Sequence, residues 1–364
     1  MENKKLMLFI PRMGNGGAER VMATIANHFV NRNNEVLLVT LTDTDSFYDL
    51  DNRVKVVAAN YKINKGNKIK RTLDITANGV KSFFYFNQQV ERWNPDYVIS
   101  FLTHTNLISS VVKIFNNKFN LIVSERAEPN ERGIITKIAT KYFYSKANYI
   151  VCQSEKVKTF FNYTAKEKLV VIENPLNLES LPITRATTRK KKISGVGRLF
   201  EQKNFELLIN SFSDIESKFP DYELEIYGEG YLRETLQEQI NDLNLQNKIF
   251  LKGIRKNVMK EIYDYELFVM PSNFEGFPNA LIEAMASGLP VISTDFSTGV
   301  ARDLINKNNG MVVPIKDREA LSKAMEVILS DKNSRTTMSE NNWELRDKLA
   351  PNKIMSKWEA IIDD

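Results

Sequence analysis

KKLMLFIPRMGNGGAERVMATIANHFVNRNNEVLLVT, Lys4–Thr40, holds in miniature the pattern of the whole chain. Leu6–Ile10 is an unbroken apolar run of strand length. Gly14, Gly16 and Gly17 follow it. From Ala18 to Asn31 the apolar residues Val21, Ile25 and Phe29 recur at helical spacing, and Glu35–Thr40 is a second strand-like run. Strand, glycine turn, helix and strand make a βαβ unit. A strand without polar alternation belongs to a parallel sheet covered on both faces.

The alternation continues outward from this stretch. Asp96–Phe101, Leu121–Ser124 and Tyr149–Gln153 read as further strands with helices between them. The pattern breaks at Glu173-Asn174-Pro175. It stays without a period through Leu176–Lys192, which holds Pro182 and the basic cluster Arg189–Lys192. A second alternation follows, with strands at Ile193–Val196, Tyr222–Tyr227, Ile249–Lys252, Leu267–Met270 and Val291–Ser293. Helices are expected at Glu206–Phe219, at Leu232–Leu243, from Pro278 onward and toward the C-terminus. The expected organisation is a first domain at 1–175, a linker at 176–192, a second domain at 193–345, and a C-terminal helix at 346–364 packing back on the first domain. The fold class is α/β: two doubly wound parallel-sheet domains with an interdomain cleft, at the carboxyl ends of their strands, where such sheets take ligands.

Composition fits two domains. At roughly 100–200 residues each, 364 residues give two cores. A single cysteine, Cys152, excludes a disulfide framework, and two histidines, His28 and His104, exclude a histidine-rich metal site. No apolar run approaches the about 18 residues of a membrane span. Leu6–Pro11 is too short for a signal-peptide core, so the expected location is cytoplasmic. Charge is uneven: residues 1–180 hold 25 Lys/Arg against 17 Asp/Glu, net +8, whereas 181–364 hold 25 against 28, net −3. A basic first half suits an anionic partner such as a phosphate-rich lipid surface.

Five stretches bear on chemistry. Gly14–Arg20 opens the first helix, where glycines let backbone approach a ligand and a helix start favours an anion; it reads equally as a tight turn. Glu19 stands where a dinucleotide fingerprint has its third glycine. Arg198 and Lys203, at the end of the second domain's first strand, suit a diphosphate or are plain surface cations. Glu275-Gly276-Phe277-Pro278-Asn279-Ala280-Leu281-Ile282-Glu283 sets one carboxylate in a loop and another on the second turn of a helix begun by Pro278. Asp43-Thr44-Asp45 has D-x-D form and reads as a loop, so no metal ligand is assigned. Lys62, Lys65, Lys68, Lys70, Arg71 and Lys81 flank Phe83–Phe86, a combination that suits an anionic membrane surface. No nucleic-acid motif is present.

Gly16–Arg20, Gly197-Arg198 with Lys203-Asn204, Tyr227–Gly230, Pro271-Ser272, Glu275–Glu283 and Ala284–Ile292 together resemble the family 4 glycosyltransferases over nearly the whole chain. Ser100–Asn106 and Ser124–Arg126 resemble bacterial transferases of capsule, exopolysaccharide and lipid-linked oligosaccharide synthesis. The resemblance implies the GT-B fold, two Rossmann-like domains around a nucleotide-sugar cleft. It also implies retention of anomeric configuration without metal or other cofactor. Arg198 and Lys203 would bind the donor diphosphate, Glu275 the donor sugar, and Glu283 the ribose hydroxyls. Backbone from Phe277 through Pro278, Asn279 and Ala280 to Leu281 would touch sugar or phosphate. Backbone near Ile254 would meet the base, and Gly16 and Gly17 would approach the phosphate. His104, Asn106 and Arg126 are the acceptor-side candidates. The expected function is transfer of a hexose or N-acetylhexosamine from a nucleotide sugar, UDP by default, to a lipid-diphosphate-linked saccharide at the inner face of the cytoplasmic membrane. The alternatives are a sugar-nucleotide epimerase of the same fold, a non-catalytic nucleotide-sugar binder and, more distantly, a dehydrogenase.

Overall fold

Met7, Phe9, Leu38, Val98 and Val123 in the first half, and Ile193, Leu224, Leu267 and Ile292 in the second, are wholly buried. Runs buried at consecutive positions are what parallel strands covered on both faces require. The structure, a computed structural model, describes residues 3–61, 68–126 and 133–363, with side chains throughout except at 68–78. It divides into two units, Met1–Asn174 with Ile354–Asp364, and Pro175–Lys353.

The first unit runs β1 (Lys5–Phe9), α1 (Gly17–Asn31), β2 (Glu35–Thr40), β3 (Lys55–Ala58), α2 (Lys68–Trp93), β4 (Tyr97–Phe101), α3 (Thr103–Phe115), β5 (Asn120–Ser124), α4 (Ile134–Tyr144), β6 (Tyr149–Cys152), α5 (Glu155–Lys158) and β7 (Leu169–Val171). Its strands form one parallel sheet in the order β3-β2-β1-β4-β5-β6-β7. The order reverses between β1 and β4. The glycine turn after β1 and the residues after β4 therefore flank the switch point, where open α/β sheets take ligands.

The second unit runs β8 (Lys190–Val196), α6 (Phe205–Ile215), β9 (Glu223–Tyr227), α7 (Arg233–Asp242), β10 (Ile249–Gly253), α8 (Val258–Ile262), β11 (Tyr265–Met270), α9 (Asn279–Ala286), β12 (Val291–Thr294), α10 (Val300–Leu304), β13 (Gly310–Val313), α11 (Arg318–Ser330), α12 (Lys332–Trp343) and α13 (Leu345–Lys348). The strand order is β10-β9-β8-β11-β12-β13, all parallel, with its reversal between β8 and β11. Each unit has its own apolar core, one built around Phe9, Phe86 and Tyr144, the other around Phe205, Phe212 and Met325. The last helix, α14 (Pro351–Asp363), joins the first unit from Ile354 onward. Trp358 is fully buried there, 6.0 Å from the Phe101 ring, and Glu359 lies 2.8 Å from His28 and 3.1 Å from Arg32 on α1.

Two expectations change. The stretch expected as a linker, 176–192, belongs to the second unit, and β8 begins inside its basic cluster. The physical reason is pairing. Lys190 bridges Asp264 at 2.9 Å, Lys191 bridges Asp221 at 2.8 Å, and Lys192 bridges Glu223 at 2.9 Å and Glu225 at 2.7 Å. Arg189 donates to the carbonyls of Tyr263, Tyr265 and Gly288, so it fastens β11 and the end of α9. The C-terminal helix expected over 346–364 is two helices, α13 and α14, broken at Leu349-Ala350.

No helix among the described residues is long and apolar enough to cross a membrane. Lys62 and Lys65 lie outside the described residues, as do the side chains of Lys68, Lys70 and Arg71. Of the aromatics after them, Phe86 is core, stacked 4.1 Å from Phe9, while Phe84 is exposed. Asp43-Thr44-Asp45 lies in the connection between β2 and β3. No group of three or more His, Cys, Asp or Glu residues among the described residues could hold a metal ion.

Candidate active site

The second unit's switch point collects Arg198, Lys203 and Glu275 at the carboxyl edge of its sheet, in the loops after β8 and β11. Backbone packing fixes the first loop. Gly228 has φ +145°, and a Cβ there would lie 1.8 Å from the Gly197 carbonyl oxygen; a Cβ on Gly230 would lie 2.3 Å from that of Leu199. The loops after β8 and β9 therefore touch backbone to backbone, joined by Leu199 N–H to the Glu229 carbonyl at 3.0 Å. Asn204, left-handed with φ 49°, ends the first loop and starts α6.

Glu275 is the hub. Only 6 % exposed, its carboxylate accepts from Lys203 Nζ at 2.6 Å and Ser272 Oγ at 2.7 Å, with Gln202 Nε2 at 3.5 Å. Its backbone carbonyl accepts from Thr298 Oγ1 at 3.0 Å. Gln202 Nε2 also donates to the Phe274 carbonyl at 3.1 Å, and its Oε1 accepts from Arg198 Nη2 at 3.0 Å. Arg198 itself is exposed, its guanidinium 5.1 Å from the Phe200 ring. The two expected cations thus differ in kind. Lys203 is part of a shielded ion pair that uses one of its three donors, whereas Arg198 presents its fork to solvent.

α9 starts immediately after this loop. Pro278 sits at its cap with φ −83° and ψ 70°, one residue before the helix rather than within it. Phe277, Pro278 and Leu281 are buried, Asn279 and Ala280 half-buried. Glu283 is on the second turn and half-buried, as its spacing from Pro278 predicts. Ile254 is 66 % exposed in the turn after β10, and its carbonyl accepts from Arg255 at 3.2 Å. These residues share one sheet edge, with a cation fork, a buried carboxylate held by three side chains, and a helix start. Such an edge can hold an anion beside hydroxyl groups.

The first unit offers a different edge. Gly16 caps α1, and the Glu19 side chain folds back over it, so that a Cβ on Gly16 would lie 2.2 Å from Glu19 Oε2. A carboxylate of the chain itself thus lies against the start of α1. Leu102, with φ 74°, turns the chain after β4 into α3, whose first turn carries His104 on its exposed side. Desolvation by the surrounding protein holds the His104 imidazole below its ordinary pKa of 6.5.

Asn106 does not face outward. It is fully buried, accepts from Ser100 Oγ at 2.8 Å and donates to the Ser124 carbonyl at 2.9 Å and Tyr144 Oη at 3.2 Å. This corrects its expected place on the acceptor side: its amide ties β4, β5 and α4 together. Arg126 is 9 % exposed, its guanidinium 4.1 Å from the Phe101 ring, and Nη1 donates to Asn174. Its Nε and Nη2 are buried without hydrogen-bond partners among the described residues. Burial pushes the guanidinium down to about 9 from its ordinary 12.5, which marks a cation that gains from an incoming anion.

Sequence reading missed Gln202, Ser272 and Thr298, the side chains that hold Glu275. Their signal is faint: an amide and two hydroxyls gain meaning only once β8, β11 and β12 are aligned.

Family models match both halves of the chain. The family described as Glycosyl transferases group 1 matches residues 179–344, and the one described as Glycosyltransferase Family 4 matches residues 15–180. The N-acetylgalactosamine-N,N'-diacetylbacillosaminyl-diphospho-undecaprenol 4-alpha-N-acetylgalactosaminyltransferase of Campylobacter jejuni is 28 % identical over 347 residues, covering 91 % of this chain and 92 % of its own. Among solved structures, a sucrose-phosphate synthase of Thermosynechococcus elongatus superposes with TM-score 0.82 at 18 % identity, over 99 % of this chain and 98 % of its own. The HepE protein of Anabaena, in complex with UDP, superposes with TM-score 0.78 at 16 % identity, over 99 % of both chains.

Proposed function

The chain is a glycosyltransferase, of family 4 in its first half and group 1 in its second, and from that premise we propose that it moves a hexose or N-acetylhexosamine from a nucleotide sugar, UDP-linked by default, to a lipid-diphosphate-linked saccharide in bacterial surface polysaccharide or glycan synthesis. The observation that carries this reading is the Lys203–Glu275 pair at the switch point of the second unit, beside Arg198 and the start of α9. The name of the Campylobacter relative, with its diphospho-undecaprenol acceptor, supports the acceptor class.

In this reading the second unit binds the donor. Breaking the sugar–phosphate bond builds negative charge on the departing diphosphate. Arg198, the remaining donors of Lys203 and the N–H groups at the start of α9 meet that charge as it develops, which favours the transition state over the bound substrate. Glu275, held rigid by Lys203 and Ser272, takes a hydroxyl of the donor sugar. Glu283 takes the ribose hydroxyls, backbone from Phe277 to Leu281 lines sugar and phosphate, and backbone at Ile254 meets the base. The acceptor hydroxyl attacks from the side the diphosphate leaves, so configuration is retained, and a phosphate oxygen takes its proton. No protein nucleophile and no metal take part.

The acceptor belongs to the first unit. Arg126, buried with two donors unused among the described residues, suits an acceptor phosphate, and His104 stands exposed near the same edge. The protein then works peripherally at the inner face of the cytoplasmic membrane, drawn there by the net +8 of residues 1–180. The test is a panel of nucleotide sugars against lipid-diphosphate saccharides, read by product mass. Growth of the acceptor by one sugar supports the reading. Recovery of a rearranged nucleotide sugar with every acceptor unchanged replaces it with an epimerase.

A further inference from the structure

α4 is turned inside out. The side chains it buries are Thr140 and Tyr144, and Tyr144 is pinned by its hydroxyl to Glu125 at 2.9 Å and by its ring to Phe161 at 6.0 Å. The side chains it exposes are isoleucines: Ile134 at 78 %, Ile135 at 84 % and Ile138 at 65 %, followed by Tyr142 at 60 %. These positions follow one another at helical spacing and form one stripe. A surface helix of an isolated domain does the reverse, because apolar side chains left in water forfeit the main driving force of folding. Three neighbouring exposed isoleucines mark a contact surface.

The surroundings indicate what it contacts. Lys137 and Lys141 are exposed along the stripe, and residues 133–154 hold three lysines and no acid. Lysines beside isoleucines, with a tyrosine at the margin, make the pattern of a helix lying in a membrane interface: stems and apolar side chains sink, ammonium groups stay at the phosphates. The neighbouring helices add apolar surface, since α3, which packs against both α2 and α4, exposes Phe115, and α2 exposes Val80 and Phe84. Direction also fits. α4 crosses from β5 back to β6, so Ile134 and Ile135 lie at the carboxyl edge of the sheet, the edge of His104 and Arg126.

We propose that the outer face of α4 is a membrane anchor, with Ile134, Ile135 and Ile138 entering the boundary between headgroups and acyl chains of an anionic bilayer and Lys137 and Lys141 on its headgroup phosphates. The inference deepens the proposed function, on which it rests, by assigning the surface that brings a lipid-linked acceptor to the first unit's carboxyl edge.

The test is co-sedimentation of the full chain with phosphatidylcholine vesicles, with and without phosphatidylglycerol. The variant Ile134→Ser/Ile135→Ser/Ile138→Ser is expected to lose about 10²-fold in vesicle partitioning, from the apolar area withdrawn. Its thermal unfolding should match the parent, since these side chains are already in water. Lys137→Gln/Lys141→Gln should lose about tenfold, and only on vesicles that carry phosphatidylglycerol. Transfer to a water-soluble short-chain diphosphate acceptor separates the two readings: its absence in the parent sinks the proposed function, while partitioning judges the anchor alone. Equal partitioning of triple variant and parent overturns the anchor. So does a parent that dimerises in solution and becomes monomeric on the triple substitution, because a second copy would then cover the face.

Discussion

Lys203 and Arg198 are both cations at one sheet edge, yet the structure gives them different obligations. Arg198 is exposed and bonded to Gln202, so Arg198→Ala should leave the fold intact and lower turnover by about 10²-fold, the scale for losing one preorganised donor. Turnover near the parent's, measured under donor saturation, would remove Arg198 from the site. The Lys203 side chain is 13 % exposed and that of its partner Glu275 7 %. Lys203→Ala leaves a buried carboxylate without its counter-ion and should cost about 3–5 kcal/mol in chemical denaturation, besides turnover. Adding Glu275→Gln to Lys203→Met should recover most of that stability and none of the turnover. If Lys203→Ala unfolds at the parent's denaturant concentration, the pair is not a structural bond. The residue types of this site were legible in the sequence, because a glycine-proline insert between two acids at a loop-to-helix step is unusual. The pairing was not, since 72 residues separate Lys203 from Glu275. Asn106 misled for a related reason: a polar residue just after a strand looks exposed until Tyr144, on α4, closes over it.

At the scale of elements, strands in the middle of each sheet were readable, as was β10 at one margin, whereas β3, β7 and β13 at the other margins were not. β3, β7 and β13 span 3–4 residues and pair with a single neighbour, too short for any period to show. β8 was read three residues short because Lys190–Lys192 look like a solvated charge run. Their acids lie on β9 and in the turns before β9 and β11, and only the sheet brings them together. Glu225 anchors that network. Burial alone would raise its carboxyl, but hydrogen bonds from Lys192, Tyr227 and Tyr265 outweigh burial and hold it at about 2, from an ordinary 4.5. A carboxylate with a depressed native pKa stabilises the fold above its unfolded pKa, and the contribution drains away as pH falls from about 4.5 toward 2. The stability gap between the parent and Glu225→Gln should therefore be widest near neutrality and narrow across that window. A gap that is the same at both ends would mean Glu225 is not held charged.

On the scale of the molecule, two parallel sheets, each with its own core and switch point, were legible from the alternation of apolar runs alone. The return of the chain to the first unit, expected over 346–364, begins at Ile354 and rests on Trp358 and Glu359. The two halves also differ in charge, net +8 before residue 181 and −3 after it. Chemistry that relies on Arg198, Lys203 and a helix start needs no metal, so turnover should persist in EDTA; abolition by the chelator and rescue by magnesium or manganese would contradict the charge-stabilisation scheme. The most direct test of transfer itself is the release of nucleoside diphosphate from the preferred nucleotide sugar, followed with and without a lipid-diphosphate saccharide. The account predicts release that depends on the acceptor, matches it mole for mole in lengthened product, and falls about 10²-fold in Arg198→Ala. Release at the same rate without acceptor, or none with any acceptor, would contradict it.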